Sequence, residues 1–466
     1  MDRRTNLKWM AAAVAAGCVK ESLARNPQVA VPVKGNPIVP SRGLCDPQAR
    51  VYDGRVYLYA THDASPASRG FMMNDWWVWR SQNLVDWEQV STLKPEQTYW
   101  GKPSDQCWAT DAARRDGKYF FYFSRGPNEI GVVSSDRPDG PWHDPLGKPL
   151  IAKGSVATEA RDPGILQEAD GTSYIVFGTW KYFIAKLNPD MVSLAEEPRL
   201  IEIRNPQGPY GRGRTDDKPF LHRRGDKYYL SWGCFYGISD SPYGPYDCKG
   251  SIISRETVDP EFRTIPAPTD IPAPFRPADM TTADRHGSFF ELHGQWYFIC
   301  NDFSQPGTSS YFRNSVISYV RYRRNGEIVP LRLTRTGVGQ YDALKGIDAA
   351  DFFAISKGEI VEQSDGQFGV GGLRDGSWIL YPKVRNLRPA PRLILRAGAA
   401  DRGATVEIRR AGPKGALLAK AGLPAMPEGE ISVTLRTNRV TEDLCLVVRG
   451  TPEKVILRSL SFSELT

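Results

Sequence analysis

Residues 45–59 read Cys-Asp-Pro-Gln-Ala-Arg-Val-Tyr-Asp-Gly-Arg-Val-Tyr-Leu-Tyr and contain the pattern that organises this chain. The stretch opens on an acidic residue, reaches a Gly a few residues later and closes on aromatic residues. Similar stretches open at four later positions, so the five openings are Asp46, Asp111, Asp162, Asp217 and His286. They lie 65, 51, 55 and 69 residues apart, and each interval is long enough for one four-stranded sheet with its loops. The repeat predicts a five-bladed β-propeller.

The openings of the repeats are also the expected place for the chemistry. In a propeller the first strand of each blade lines the central channel, so equivalent positions converge at one end of the axis. A cluster of carboxylates in one cavity is costly unless it binds a cation, shares a proton or performs acid/base work. Each Asp alone could simply cap a turn, but four Asp residues in register indicate a functional site. Asp111 is expected to act as a support within it.

Composition supports a large β-protein with two domains. A chain of 466 residues exceeds what one hydrophobic core usually supports. With 43 Gly, 36 Pro and 11% aromatic residues it is rich in turns and strands, and no long amphipathic helix stands out. The net charge of +7 comes from scattered basic residues, so we expect no nucleic-acid partner. We predict an all-β chain with a propeller over residues 36–340 and a β-sandwich over residues 345–466.

The first residues have the character of an export signal. Arg3-Arg4 followed by the weakly apolar residues 9–17 resembles a twin-arginine signal, with Ser22-Leu-Ala24 as a cleavage site. We therefore expect residues 1–24 to be removed and the protein to be exported, to the periplasm or beyond the cell. Ala15-Ala-Gly-Cys18 resembles a lipoprotein box without its usual Leu, so a lipid anchor at Cys18 is the alternative. No other stretch approaches the roughly 18 apolar residues of a membrane span.

The cysteines that remain after removal of the signal match no zinc-binding spacing. Cys45 and Cys107 lie near repeat openings, and an oxidising compartment would permit a bridge between them. Small buried thiols are the favoured interpretation for most of the set. The six residues are Cys45, Cys107, Cys234, Cys248, Cys300 and Cys445.

Several short motifs together resemble glycoside hydrolase family 43 over about residues 36–340. They are, in chain order, Cys45-Asp-Pro47, Asn83-Leu-Val-Asp-Trp87, Trp108-Ala-Thr-Asp111, Arg161-Asp-Pro163 and Asp217-Lys-Pro-Phe-Leu221. Members of the family are five-bladed propellers and inverting enzymes that act mostly on arabinosyl and xylosyl linkages of plant polysaccharides. The resemblance therefore implies a glycosidase of the α-L-arabinofuranosidase or β-xylosidase type, with an oligosaccharide or polysaccharide as its partner and no required cofactor.

The resemblance also implies roles for the carboxylates. Asp46 would be the general base that activates water, and Asp162 would orient and tune the acid. Inversion requires the base and the acid on opposite faces of the sugar, about 6.5–9.5 Å apart. The family places Glu-x-Pro on the fourth blade where this chain has Asp217-Lys-Pro219, so the acid would be Asp217. Its side chain is one methylene shorter.

Three other residues are alternative proton donors. Asp216 matches the family motif by following a Thr, and Glu159 lies three residues before Asp162. His286 could act as the acid, as a His does in related propeller hydrolases of anhydro-galactose units. The favoured role for His286 is instead as a ligand of a structural calcium ion on the propeller axis, which family 43 enzymes often hold.

Aromatic and basic residues near the openings are candidate sugar contacts, because sugar rings stack on aromatic faces. The candidates are Trp108, Trp180 and Phe235 for stacking and Arg161 for hydrogen bonds to hydroxyl groups. Long insertions at residues 94–106 and 258–282 favour a walled pocket and therefore exo action.

The C-terminal region leaves a second function class open. The opening Ile347-Asp-Ala-Ala-Asp-Phe-Phe353, the run Asp375-Gly-Ser-Trp-Ile-Leu-Tyr381 and the closing strands resemble carbohydrate-binding module family 6. The absence of the family's Glu acid favours a non-catalytic, glycan-binding propeller, whereas the presence of Asp46 and Asp162 favours an enzyme.

Overall fold

The computed structural model describes residues 35–263, 277, 279–400, 403–425, 428–450 and 455–463. The predicted export signal and Cys18 lie outside these residues. The described chain is all-β, as predicted, apart from four single-turn 3-10 helices: Pro95–Gln97, Pro260–Phe262, Met280–Thr282 and Ala349–Asp351. In the part of the chain so described, no helix has the length and apolar character needed to cross a membrane.

Residues 44–320 form five consecutive antiparallel sheets, and in each of them the main strands follow chain order. The first comprises β1 (Leu44–Tyr52), β2 (Arg55–His62), β3 (Trp76–Ser81) and β4 (Glu88–Leu93). The second comprises β5 (Cys107–Arg115), β6 (Lys118–Arg125) and β7 (Glu129–Ser135), and the third β8 (Gly164–Gln167), β9 (Ser173–Phe177), β10 (Phe183–Leu187) and β11 (Arg199–Leu200).

The fourth and fifth sheets follow after a short excursion. The excursion contains β12 (Ile203–Arg204), β13 (Gln207–Gly208) and β14 (Gly211–Arg212). The fourth sheet is β15 (Pro219–Arg224), β16 (Lys227–Trp232), β17 (Phe235–Ser239) and β18 (Tyr246–Ser251), with β12 parallel to β18 at its edge. The fifth is β19 (Gly287–Leu292), β20 (Gln295–Asp302) and β21 (Asn314–Val320).

The first strands of the five sheets lie against one another in a closed ring. β1 contacts β5, β5 contacts β8, β8 contacts β15, β15 contacts β19, and β19 returns to β1. Aromatic side chains fill the space between neighbouring sheets, as with Tyr59 of β2 against Phe121 of β6 at 5.1 Å, or His222 of β15 stacked on Phe289 of β19 at 4.4 Å. Such pairs each contribute about 0.5–1.5 kcal/mol beyond area burial.

The start of the described chain joins the last sheet to the first. The Asn36 side chain exchanges hydrogen bonds with the backbone of Ile317 in β21, donating at 2.9 Å and accepting at 2.8 Å. The Ile38 amide donates to the Ser315 carbonyl at 2.9 Å, and the Ser315 hydroxyl donates to the Leu44 carbonyl at 2.8 Å. These bonds fasten both ends of the ring, so the strand openings cannot move apart independently.

Residues 341–463 form two further six-stranded sheets that bury one shared apolar core. One sheet has the order β22, β27, β32, β29, β30 with β24 paired to β27; the other has the order β25, β26, β33, β28, β31 with β23 paired to β33. The strands are β22 (Tyr341–Asp342), β23 (Ile347–Asp348), β24 (Ala354–Ser356), β25 (Glu359–Glu362), β26 (Phe368–Leu373), β27 (Trp378–Arg385), β28 (Arg392–Gly398), β29 (Thr405–Arg410), β30 (Leu417–Gly422), β31 (Gly429–Thr434), β32 (Thr441–Arg449) and β33 (Val455–Ser463).

Charged pairs connect this C-terminal region to the fifth sheet and the residues that follow it. Arg321 lies 2.5 Å from Asp351, and Arg332 lies 2.5 Å from the other oxygen of the same carboxylate. Arg323 binds Glu362 at 2.7 Å. The Gln295 side chain of β20 donates to the Ala350 carbonyl at 2.7 Å in a fully buried position. The two regions therefore share a packed and hydrogen-bonded interface.

The six cysteines are all free thiols. Five are buried and Cys248 is half-buried. The favoured interpretation of small buried thiols agrees with this, and the Cys45–Cys107 bridge that an oxidising compartment would permit is not formed.

Candidate active site

A pocket opens at the end of the ring where the first strands begin. Four of the five predicted openings contribute to its lining, which consists of Asp46, Phe71, Met73, Trp108, Ala109, Arg161, Asp162, Asp217, Asp284, His286 and Arg313. The fifth, Asp111, is fully buried in β5, pairs with Arg50 and accepts a hydrogen bond from the Ile165 amide at 2.6 Å. Asp111 is thus a structural support between the second and third sheets, as expected.

Asp46 lies at an irregularity in β1 and is held by two neighbours. The register of β1 against β2 shifts between Cys45 and Gln48, and Asp46 has φ +48°, a left-handed conformation that Asp tolerates better than most residues. Asn301 and Arg313 both donate to Oδ1, at 2.9 and 3.0 Å, and the Asp46 amide donates to Asn301 Oδ1 at 2.7 Å. Both side-chain bonds end on Oδ1, so Oδ2 is the oxygen available to a water molecule.

The surroundings of Asp46 keep it ionised. Burial alone would raise the pKa of its carboxyl, but the Arg313 guanidinium, His286 and the Asn301 hydrogen bond hold that pKa below its ordinary value. Arg313 is itself fixed by Asp63, whose two carboxylate oxygens it binds at 2.9 and 3.0 Å. A buried acid with a low pKa is a proton acceptor at neutral pH, as a general base requires.

Asp162 has the opposite electrostatic character. It is 3% exposed, and burial raises its pKa to about 6, with Asp217 adding to the rise and Arg161 and Lys218 opposing it. Its Oδ2 accepts from the Lys218 amide at 3.1 Å, and its own amide donates to the Ser124 hydroxyl at 2.8 Å. These bonds place its carboxyl beside the segment that carries Asp217.

Asp217 is the more accessible carboxylate of this group, with a side chain 22% exposed. Its Oδ2 lies 3.2 Å from Arg161 and its Oδ1 lies 2.8 Å from His286 Nε2. The neighbouring Asp216 is 4% exposed and does not line the pocket. Glu159 also does not line it, and its carboxylate instead pairs with Arg161 at 2.8 Å. Of the three carboxyl candidates for the acid, Asp217 is the one that faces the pocket.

His286 stands at the centre of the carboxylates. Its Nδ1 lies 4.0 Å from Asp46 Oδ1, and its Nε2 lies 2.5 Å from Asp284 and 3.5 Å from Asp216. Burial raises the pKa values of both Asp216 and Asp284 well above their ordinary range, and the nearby Asp217 adds to both shifts. The site thus holds more carboxyl groups than its cations can balance, and it favours protonation of some of them.

Three atoms of this cluster form a potential cation site. Asp216 Oδ2, Asp217 Oδ1 and His286 Nε2 are buried and lie within 4.8 Å of one another, and their close approaches within the described residues lack hydrogen-bond geometry. Carboxylate oxygens suit hard divalent cations, and imidazole nitrogen suits borderline metals. The donor set therefore fits a cation held on one side by protein groups.

Of the two tryptophans predicted to contact sugar, one lines the pocket and the other lies outside its lining. Trp108 lines the pocket beneath the Arg161 guanidinium, 5.1 Å from its ring centre, and its buried indole nitrogen has no partner in the described chain. Trp180 is 45% exposed and packs edge-on against Tyr210, outside the pocket lining. Its amide donates to the Asp216 carbonyl at 3.0 Å, so it lies beside the acidic segment.

Phe235 is wrong as a sugar contact. Its ring is 8% exposed and belongs to the apolar core of the fourth sheet, in β17 opposite Trp232. Every residue of β17 is buried except the half-buried Ile238, so the Phe235 side chain is enclosed by the core. Proximity in sequence to a blade opening did not carry it to the pocket.

Several residues in or around the pocket were not assigned a role from sequence. Phe71, between β2 and β3, is 39% exposed, lies 4.6 Å below the Arg313 guanidinium and packs edge-on against Tyr311. Asp284 lies two residues before the His286 opening, and Asn301 is near the end of β20. Of these three residues, only Asp284 carried a signal in the sequence, because it lies two positions before the His286 opening.

The predicted insertions are partly visible. The end of the first one joins the pocket wall, because Met73 accepts from the Cys107 amide at 2.9 Å and donates to the Asp105 carbonyl at 2.8 Å. Most of the second one, residues 264–276, lies outside the described residues. A larger cleft of about 860 Å³ lies between the C-terminal region and the residues that end and follow the fifth sheet. The charged side chains at its wall are paired with each other, Arg321 with Asp348 and Arg332 with Asp351.

Comparison with known proteins identifies the family. The model for glycosyl hydrolases family 43 matches residues 34–328. An arabinoxylan arabinofuranohydrolase from Paenibacillus polymyxa is 23% identical over 489 residues, covering 92% of this chain and 74% of the relative. A xylosidase/arabinosidase from Bacteroides ovatus is 27% identical over 345 residues, covering 63% and 96%.

A solved structure extends the likeness of fold along the chain. The crystal structure of a family 43 arabinoxylan arabinofuranohydrolase from Bacillus subtilis in complex with cellotetraose has a TM-score of 0.52 and 20% identity, and it covers 92% of this chain and 97% of its own. The family match spans more than half of the chain and agrees with the resemblance found in its motifs. The chain therefore belongs to glycosyl hydrolases family 43, and the prediction of a glycosidase is confirmed.

Proposed function

We propose that this protein hydrolyses arabinosyl or xylosyl linkages with inversion at the anomeric carbon, using Asp46 as the base and Asp217 as the acid. The observation that carries the proposal is the arrangement of these two carboxyls around His286. The His286 ring lies between them, with Nδ1 4.0 Å from Asp46 Oδ1 and Nε2 2.8 Å from Asp217 Oδ1. This arrangement favours the wider carboxyl spacing of inverting enzymes, about 6.5–9.5 Å, over the closer spacing of retaining ones.

Asp46 supplies the water-activating step. Asn301 and Arg313 occupy its Oδ1, and Oδ2 accepts a proton from a water molecule as that water attacks the anomeric carbon. Because Asp46 is ionised at neutral pH, the base is ready before substrate binds. Asp63 fixes the Arg313 guanidinium, and Arg313 in turn holds the Asp46 carboxylate in its working orientation.

Asp217 supplies the proton for the leaving oxygen from the opposite side. Its partial exposure lets it reach the glycosidic oxygen, and the carboxyl of Asp162 lies beside its segment, where it accepts a hydrogen bond from the Lys218 amide. Arg161 contacts Asp217 and stacks over Trp108, so it orients the acid and lines the sugar site at the same time. After bond cleavage Asp217 is left as the carboxylate and Asp46 as the carboxylic acid, and solvent resets both.

The substrate class rests on the names of the relatives, arabinoxylan arabinofuranohydrolase and xylosidase/arabinosidase. We assign Trp108, Phe71 and Arg161 to sugar contacts and Trp180 to the rim. The wall formed at Met73 and residues 105–107 supports exo action on chain ends or side branches. Export from the cytoplasm, based on Arg3-Arg4 and the residues after them, is part of the same proposal, and cell fractionation with N-terminal sequencing would test it.

The domain organisation is proposed on the same footing. Five sheets with a closed ring of first strands support a five-bladed propeller over residues 36–340. Two six-stranded sheets around one core support a β-sandwich over residues 345–466. We propose that the sandwich braces the propeller, and that any glycan binding by it resembles that of carbohydrate-binding modules. Affinity electrophoresis of the full chain on arabinoxylan, with an Asp46→Asn variant to prevent hydrolysis, would test for binding.

A structural calcium ion, if bound, would be held by His286 with Asp216 beside it, while Asp217 remains the proton donor. It would supply positive charge to the carboxylate cluster. The proton transfers assigned to Asp46 and Asp217 need no metal, so hydrolysis is expected to survive treatment with a chelator. Thermal unfolding with calcium and with chelator measures the effect of the ion on stability independently of turnover.

The proposal is tested by assaying wild type, Asp46→Asn and Asp217→Asn on aryl α-L-arabinofuranosides, aryl β-D-xylosides and agaro-oligosaccharides. Turnover of the arabinosyl or xylosyl substrates, lost in Asp46→Asn, is the expected result. Turnover of agaro-oligosaccharides alone, with His286 essential, would indicate an anhydro-galactosyl hydrolase. Sugar binding without any turnover would indicate a glycan-binding propeller.

A further inference from the structure

Lys218 is a buried cation that the hydrolysis mechanism described above does not use. It lies between Asp217 and the start of β15, and its side chain is 1% exposed. Its Nζ donates to the carbonyls of Thr110 and Pro163, both at 2.9 Å. Within the described chain no carboxylate oxygen lies close enough to Nζ to form an ion pair. A buried ammonium is costly, so its place in the fold requires a compensating function.

The backbone at Lys218 adds a second sign of constraint. Its φ is +53°, a left-handed conformation in which a glycine would be unstrained and a lysine is uncommon. The backbone conformation alone would therefore favour a glycine at position 218. The bonds made by Nζ fix the side chain in place despite this backbone conformation.

The two carbonyls that accept from Lys218 belong to neighbours of the site carboxylates. Thr110 directly precedes Asp111 in β5, and Pro163 directly follows Asp162. The Lys218 amide in turn donates to Asp162 Oδ2 at 3.1 Å. One residue thus connects the second, third and fourth sheets at the openings of their first strands, immediately beside the proposed acid.

The charge of Lys218 also faces the carboxylates. Burial lowers its pKa, while Asp111, Asp162 and Asp46 favour its charged form. Arg50, which pairs with Asp111, is the other cation within this electrostatic group. The ammonium therefore stands among the carboxylates as a cation that is part of the chain itself.

We propose that Lys218 is a positioning residue of the hydrolase, whose buried ammonium holds Asp162 and Asp217 in their working geometry by tying three first strands together. This inference rests on the proposed function. Loss of the ammonium would let the Asp217 segment shift against Asp162, and a shift near 1 Å can reduce turnover by about 10²-fold. The Nζ hydrogen bonds end on backbone carbonyls and not on the sugar-contact side chains Trp108 and Phe71, so substrate binding should change less than turnover.

The test compares Lys218→Met with wild type and with Lys118→Met, a control at an exposed lysine of β6, all in the presence of a chelator. Met keeps the Cβ and an unbranched side chain, one atom shorter than that of Lys, but removes the charge and both hydrogen bonds. We expect kcat to fall by about 10²-fold, KM to stay within about threefold, and the melting temperature to stay equal or rise. The control should match wild type in all three quantities.

Three results would overturn the proposal. They are a kcat of Lys218→Met within about threefold of wild type, a parallel fall of kcat and melting temperature, or a change confined to KM. Should the Met variant not fold, Lys218→Gln retains an N–H donor and is expected to fold with a kcat at least about tenfold below wild type; full activity in it would equally refute the role. A wild type that hydrolyses none of the sugars would instead overturn the proposed function, and this role with it.

Discussion

Replacement of Asp217 by Asn should separate the acid from every other carboxylate of the site. The change is isosteric and removes the proton that the leaving oxygen requires. Asp217 faces the pocket between Arg161 and His286, and no other candidate carboxyl of the fourth-blade segment does. Loss of a general acid reduces turnover by about 10²–10⁴-fold when the leaving group is poor.

The size of the loss depends on the substrate. A dinitrophenolate leaves without protonation, so Asp217→Asn should retain within about tenfold of wild-type kcat on a dinitrophenyl glycoside. On an unactivated aryl glycoside or an oligosaccharide, the same variant should lose at least about 10²-fold. The assay is kcat on both substrate types at one pH, with Asp216→Asn as a matched control of the adjacent, buried carboxyl.

Equal losses on good and poor leaving groups would refute the assignment of Asp217. So would the leaving-group dependence appearing in Asp216→Asn or Glu159→Gln instead. Asp217→Glu restores the length of the family's usual acid. In this variant kcat should depend on the leaving group as weakly as it does in wild type. Its carboxyl would extend beyond the present contacts with Arg161 and His286, so we expect a loss of about 10- to 100-fold in kcat on both substrates.

Four further perturbations have defined outcomes. Asp46→Asn should lower kcat by about 10²–10⁴-fold on good and poor leaving groups alike, because both need an activated water, and a loss restricted to poor leaving groups would contradict its role as base. In Asp162→Asn, the free energy of unfolding from urea titrations should exceed the wild-type value by about 1–3 kcal/mol at pH 7. The native pKa of about 6 lies above the ordinary 3.8, so wild-type stability falls as pH rises through this window; the gain should therefore shrink toward pH 4, and a gain that grows on acidification would be inconsistent. Phe71→Ala should raise KM by about two- to tenfold with little change in kcat, as expected of a stacking platform, and an unchanged KM would remove it from the sugar site. Phe235→Ala should lower the free energy of unfolding by about 3–5 kcal/mol while the folded fraction keeps its KM, whereas a raised KM would return Phe235 to the substrate contacts.

The repeat in the sequence predicted that its openings lie at one end of the molecule, and four of them line one pocket there. Asp46, Asp162, Asp217 and His286 all line one pocket, because equivalent openings of consecutive sheets meet at one end of a ring. This follows from the period alone. Asp111 occupies the same register but is withdrawn into β5, where Arg50 pairs with it. A repeat position therefore determines which end of the sheet a residue occupies, not whether its side chain reaches the solvent.

The remaining parts of the site depend on contacts between residues distant in sequence. Arg313 binds Asp46 across 267 positions and Asp63 across 250, and Asn301 reaches Asp46 across 255. No local pattern marks such partners. Phe235 shows the converse, because it lies close to an opening in sequence but in a strand that is buried along nearly its whole length. The sequence motif Asp217-Lys-Pro219 contains Lys218, but nothing in the motif predicts that this lysine is buried.

The stereochemistry of hydrolysis tests the pairing of Asp46 and Asp217 most directly. Proton NMR of the first product formed from an aryl α-L-arabinofuranoside, recorded before mutarotation, identifies the anomer released by the enzyme. Water delivered by Asp46 from the face opposite to Asp217 predicts β-L-arabinofuranose as the first product, and likewise α-xylose from a β-D-xyloside. First release of the α-arabinose or the β-xylose would mean a covalent, retaining route and would contradict the roles given to both carboxylates.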